Sequence, residues 1–106
     1  MQNGLYRVEF RTPLGSGAGV VTLQDGNLRG GDSSMYYFGS YTETGNQATV
    51  DAESHRHTPG MPSVLGRDDA HLSLRGTVQG NSAQLTGTAR EAPGVTLQVS
   101  LSLLRP

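Results

Sequence analysis

Apolar side chains in this chain recur at every second position, and that alternation restricts the fold more than anything else in the sequence. The last segment shows it best: Val95, Leu97, Val99, Leu101 and Leu103 share one face, while Thr96, Gln98, Ser100 and Ser102 share the other. Side chains leave a strand on alternate sides, so this is a strand with one apolar and one wet face. The same pattern places Tyr6, Val8 and Phe10 against Arg7, Glu9 and Arg11. It recurs with Ala48, Val50 and Ala52 against Thr49, Asp51 and Glu53, with Leu72, Leu74, Gly76 and Val78 against Ser73, Arg75 and Thr77, and with Ala83, Leu85, Gly87 and Ala89 against Gln84, Thr86 and Thr88. No window carries a helical stripe over three turns.

Turn chemistry separates the runs at Asp25-Gly26-Asn27, Gly30-Gly31-Asp32, Gly45-Asn46, Gly80-Asn81 and Pro93-Gly94. The five prolines read as lying outside the strands, as a residue without an N–H should. Strands are therefore expected at 4–12, 17–24, 27–31, 34–42, 47–57, 70–79, 82–90 and 95–104. A flat meander of eight strands would leave two open edges. Closure into an eight-stranded antiparallel up-and-down barrel removes them, with a two-sheet sandwich as the rival all-β arrangement. At 106 residues the chain reads as one domain, 1–106. The longest connection, Thr58 to Asp69, keeps the apolar residues Met61, Val64 and Leu65, so it should tuck over one barrel end as a short turn or plug.

Composition narrows the function classes. There is no Cys, hence no thiolate chemistry and no disulfide. Eight basic residues, all Arg, against nine acidic ones leave a net charge of −1, which suits no phosphate-tracking nucleic-acid surface. The opening MQNGLYRVEF has neither a basic n-region nor an apolar h-region, and no stretch is long and apolar enough for a spanning helix. The expectation is a soluble cytoplasmic protein.

The run Asp25-Gly26-Asn27-Leu28, followed by Gly30-Gly31-Asp32, Tyr37, Gly39, His55-Arg56 and Pro62-Ser63-Val64-Leu65, resembles the GrlR-like family of bacterial regulators. The start Gly4-Leu5-Tyr6 is similar to that family's own, and the resemblance covers residues 4 to about 66. It implies a lipocalin-like (calycin-like) barrel, a homodimer, and negative regulation of type III secretion through binding of a transcriptional activator. The family's partner contact is an acidic Glu-Asp-Glu-Asp motif in a hairpin loop. The matching stretch here is Glu43-Thr44-Gly45-Asn46, in which only Glu43 is acidic, so the scaffold can be shared without the target.

Four constellations bear on chemistry. Asp51, Glu53, His55 and His57 share one strand face, and a His-x-His pair with carboxylates is a metal-ligand pattern. The plainer reading is a wet outer face, with His55 anchoring the long loop and no resident cofactor. Gly15-Ser16-Gly17 is no nucleophile elbow, and Gly15 to Gly19 lacks the Lys and following helix of a phosphate loop. Met35-Tyr36-Tyr37-Phe38-Gly39-Ser40-Tyr41 is apolar on both faces, so Tyr36 and Phe38 either form a contact surface, such as a dimer face on strands two to four, or lie under the long loop or the N-terminal strand. Small inward residues (Ala48, Ala52, Gly76, Ala83, Gly87, Ala89) leave a small pocket for an apolar ligand or let a narrow barrel close tightly.

Together these readings favour a non-enzymatic regulatory binding protein. Tyr36, Phe38 and Glu43 would carry protein contact, and Gly30, Gly31 and Asp32 would form a structural turn. A carrier or sensor of a small apolar ligand is the alternative, and a metal-dependent enzyme is third.

Overall fold

Each alternating run becomes a strand. The computed structural model describes all 106 residues, Met1 to Pro106. Its strands are β1 (Gly4–Thr12), β2 (Gly15–Gln24), β3 (Asn27–Gly31), β4 (Met35–Thr44), β5 (Gln47–Arg56), β6 (Asp69–Gln79), β7 (Ser82–Ala89) and β8 (Ala92–Arg105). Every strand pairs antiparallel with its sequence neighbours, and β1 pairs with β8 from Leu5↔Arg105 to Arg11↔Gln98. The sheet is thus a closed eight-stranded up-and-down barrel, not a sandwich, and closure leaves no free edge. The chain has no helix, so none is long and apolar enough to cross a membrane.

Inward residues of seven strands and Leu65 of the long connection form one core cluster of 18 buried side chains, including Tyr6, Leu23, Val50, Leu74, Leu85, Val99 and Leu101, with Tyr37 and Tyr41 of β4 packed against it. Asp25 and Gly26, both with positive φ (53° and 84°), make the two-residue turn between β2 and β3. That is the conformation whose twist matches paired strands, and it explains the Asp-Gly choice. Gly76 serves a different need. A Cβ there would lie 1.8 Å from the Gln84 carbonyl oxygen and 2.8 Å from Leu85 Cα, so β6 and β7 approach too closely for any side chain.

Three expectations need correction. The β7–β8 turn is Arg90-Glu91, and Pro93-Gly94 lies inside β8. The pairing jumps there from Gly87↔Leu97 to Ala89↔Ala92, so Pro93 occupies a bulge where no ladder donor is required. Gly30 and Gly31 close β3, and the turn itself is Asp32 to Ser34. His57 falls just beyond β5, because its N–H donates to the Ser34 carbonyl (2.9 Å) rather than to the ladder.

Candidate functional site

A cavity of about 680 Å³ opens into the barrel. Its wall is apolar, with Val8, Val21, Val50, Leu74, Leu85 and Val99 among the lining residues. This exceeds the small pocket expected from the sequence and falls in the range of small-molecule sites, roughly 300–1,000 Å³. Small inward residues on its wall, Ala52 of β5 with Gly17 and Gly19 of β2, carry too little volume to fill an eight-stranded cylinder, whereas Ala48, Gly76, Ala83, Gly87 and Ala89 do not line it. Apart from Tyr6, whose hydroxyl donates to the Gln2 carbonyl (2.6 Å), Ser54 is the one buried polar side chain, at 9% exposure. Ser54 lines the cavity and is paired with Tyr37 across the β4–β5 ladder.

The cavity reaches the end of the barrel where Asp32–Ser34 and the 57–68 connection cross. Asp32 organises one side of that mouth. Its Oδ1 accepts from the N–H groups of Ser34 (2.9 Å) and Met35 (2.8 Å), and its Oδ2 accepts from the Tyr37 hydroxyl. Partial burial alone would raise the Asp32 pKa, but the three donors outweigh it and hold the carboxyl below its ordinary value. Burial, with the Asp32 carboxylate beside it, pushes the Tyr37 hydroxyl far above its ordinary value, so it stays a donor. Tyr37 also meets Phe10 edge-on, with ring centroids 6.0 Å apart.

Arg56 organises the other side. Its Nε donates to Asp68 (2.6 Å), and its two terminal nitrogens donate to the carbonyls of Thr58 and Met61 (both 3.2 Å). Arg56 is therefore the principal anchor of the long connection. Leu65 plugs the barrel as part of the core cluster and Val64 packs against it. Met61 stays 82% exposed, contrary to the expectation that all three apolar loop residues tuck in.

The outer wall carries a second cluster. Tyr36 and Phe38 are 44% and 39% exposed, and neither the long connection nor β1 covers them. Their rings stand with the His55 ring at centroid distances of 5.5 and 5.9 Å. From His55 a chain of alternating acids and imidazoles runs across β5 and β6. His55 Nδ1 meets Asp69 (2.7 Å), His55 Nε2 meets Glu53 (3.0 Å), the same Glu53 oxygen lies 3.5 Å from His71 Nε2, and His71 Nδ1 meets Glu91 (2.6 Å). Glu91 also accepts the His71 backbone N–H (2.7 Å).

Two carboxylates facing both ring nitrogens of His55 favour the doubly protonated imidazolium. The Asp69 contact first, then Glu53, raises its pKa above the usual histidine value of 6.5. The His71 ring holds Glu91 down to about 2. A raised histidine pKa stabilises the fold fully below 6.5, and that contribution disappears as pH climbs through the folded-state value. We therefore expect His55→Gln to destabilise the protein at about pH 5 by up to about 1 kcal/mol, as for an exposed pair, and to have little effect at about pH 9. Urea unfolding of both proteins at the two pH values checks this.

The residues singled out from sequence do not form one site. Asp51, Glu53 and His55 do share the outer face of β5, but His57 turns away, its ring meeting Thr58 Oγ1 (2.6 Å) and the Asp32 carbonyl (3.0 Å). No group of three or more His, Asp or Glu side chains is placed to hold a metal ion. Glu43 faces the opposite side of β4 from Tyr36 and Phe38, near the far end of the strand, and its carboxylate is paired with the Met1 ammonium. No family model matches the chain, and no curated protein does either. The assignment of function therefore rests on this geometry.

Sequence reasoning passed over Arg56, Asp69 and Glu91 as functional groups. For Arg56 a signal existed: it ends the inward register Ala48, Val50, Ala52, Ser54, and a cation at the end of an apolar face marks a barrel mouth. Glu91 had none, since its partner His71 lies 20 positions away.

Proposed function

We propose that this protein is a non-enzymatic binding protein that holds a small apolar ligand inside its barrel. The observation that carries the reading is the 680 Å³ cavity, open at the loop end and lined mostly by apolar residues of a closed sheet. A preformed apolar pocket in a closed sheet favours ligand entry because little ordering entropy is lost on binding. Native mass spectrometry of the purified protein is expected to show a bound small molecule, or, after extraction, uptake of the neutral fluorophore N-phenyl-1-naphthylamine. Ligand-free protein that also leaves the fluorophore dark would contradict the proposal.

A second reading has its own observation. Val20, Tyr36 and Phe38 form exposed apolar surface on the outer wall of β2 and β4. Exposed aromatic surface of this kind serves protein contact. In that reading the protein acts in the cytoplasm as a regulator resembling the GrlR-like family, with this wall as a homodimer face and a transcriptional activator as partner. Phe38→Asp is expected to convert a dimer to a monomer in sedimentation equilibrium without loss of fold. An unchanged mass would remove Phe38 from the interface.

A further inference from the structure

We infer that the cavity takes a linear anionic amphiphile of the fatty-acid class, with its chain along the apolar wall and its carboxylate at Arg67. This rests on the cavity reading above and assigns the chemistry of the ligand's head. The lining runs from Asp32, Ser63 and Arg67 at the mouth to Leu74, Leu85 and Leu101 of the core, so an apolar chain can lie inward from a polar head. An amphiphile of this kind must leave its head where the lining turns polar, and that happens only at the mouth, among Asp32, Ser33, Ser34, Ser54, Ser63 and Arg67.

Charge at the mouth selects the sign of the head. Arg56 is neutralised by Asp68 and bound to two carbonyls. Asp69 is engaged by His55 on the outer wall. Asp32 spends its carboxylate on three internal donors, and the His57 ring bonds to Thr58 and to the Asp32 carbonyl. The arginine ion pairs of the protein are Arg7–Glu9 and Arg56–Asp68, and Arg67 takes part in neither. Arg67 is thus the one cation lining the cavity, with its neighbouring carboxylates already committed. Its backbone is held in place: its N–H donates to Ser63 Oγ (3.1 Å) and its carbonyl accepts from the same hydroxyl (2.7 Å). The Arg67 guanidinium makes no internal hydrogen bond or ion pair, so all its donors are available, and a guanidinium at the lip of an apolar pocket recognises a carboxylate with two parallel N–H donors.

The test is displacement of N-phenyl-1-naphthylamine by dodecanoate, dodecanol and dodecylamine at about pH 8, where the fatty acid is ionised. Dodecanoate is expected to bind about fivefold more tightly than dodecanol. Arg67→Gln should erase that preference while leaving dodecanol affinity and thermal stability unchanged, and Arg67→Lys should retain part of it. Equal affinity for the acid and the alcohol, or an acid preference that survives Arg67→Gln, would overturn the assignment of the head. A preference for dodecylamine would transfer the head to Asp32 and overturn it equally. Failure of the fluorophore and of all three chains to bind would instead remove the cavity reading itself.

Discussion

Gly76→Val is expected to abolish cooperative folding or lower the urea midpoint so far that the native state barely survives at room temperature. The reason is the distance between chains. A Cβ at this position would sit 1.8 Å from the Gln84 carbonyl oxygen and 2.8 Å from Leu85 Cα, and both obstacles are backbone. No rotamer change relieves such a contact, so β6 and β7 must separate, and in a closed sheet separation of one pair strains every other. Overpacking costs about 1–3 kcal/mol when side chains can yield. Here it should exceed about 3 kcal/mol, a large part of the 5–15 kcal/mol that holds a domain of this size together. Gly94→Ala is the control, since nothing lies within 4 Å of a Cβ there. It should shift stability by less than about 0.5 kcal/mol. Equilibrium urea unfolding followed by far-ultraviolet circular dichroism distinguishes the two.

Ala52→Phe is expected to weaken ligand uptake about tenfold or more, a loss near 1.4 kcal/mol, while the protein remains folded. Ala52 is buried and lines the cavity. It pairs with Gly39 on β4 and Leu72 on β6. Its side chain borders the cavity, so a ring at this position grows into volume now available to a ligand. Fluorophore titration reads the affinity and thermal unfolding reads the fold. Unchanged affinity with a folded protein would mean that the probe binds elsewhere.

The fold was more legible in the sequence than the site. Alternation identifies strands directly, because the side-chain period of two follows from the pleat, and β1 and β3 match the expected limits of 4–12 and 27–31. Strand ends depend on register, which alternation does not encode. Pro93-Gly94 looked like a turn because those residues usually make one, yet the Arg90-Glu91 pair turns the chain and the bulge absorbs the proline. A pocket is one reading of the Ala and Gly in inward positions, but of those named only Ala52 lines the cavity, and its volume depends on closure, which only pairing of β1 with β8 establishes.

The outer cluster shows the same limit. His55 was singled out, whereas Asp69 and Glu91 come to the imidazoles through pairing of β5 with β6 and through the β7–β8 turn. Glu43 and Tyr36–Phe38 lie on one strand and suggest one surface. The strand places them on opposite faces and toward opposite ends, a separation set by pleat and length rather than by sequence proximity.

Methyl-resolved NMR during titration with dodecanoate addresses the barrel interior most directly. Saturable shifts should concentrate on Val50, Leu74, Leu85 and Val99, which line the cavity, with the exposed Leu5 and Leu104, which do not line it, unmoved. Shifts confined to Leu5 and Leu104, with the four interior residues silent, would contradict a ligand-holding barrel.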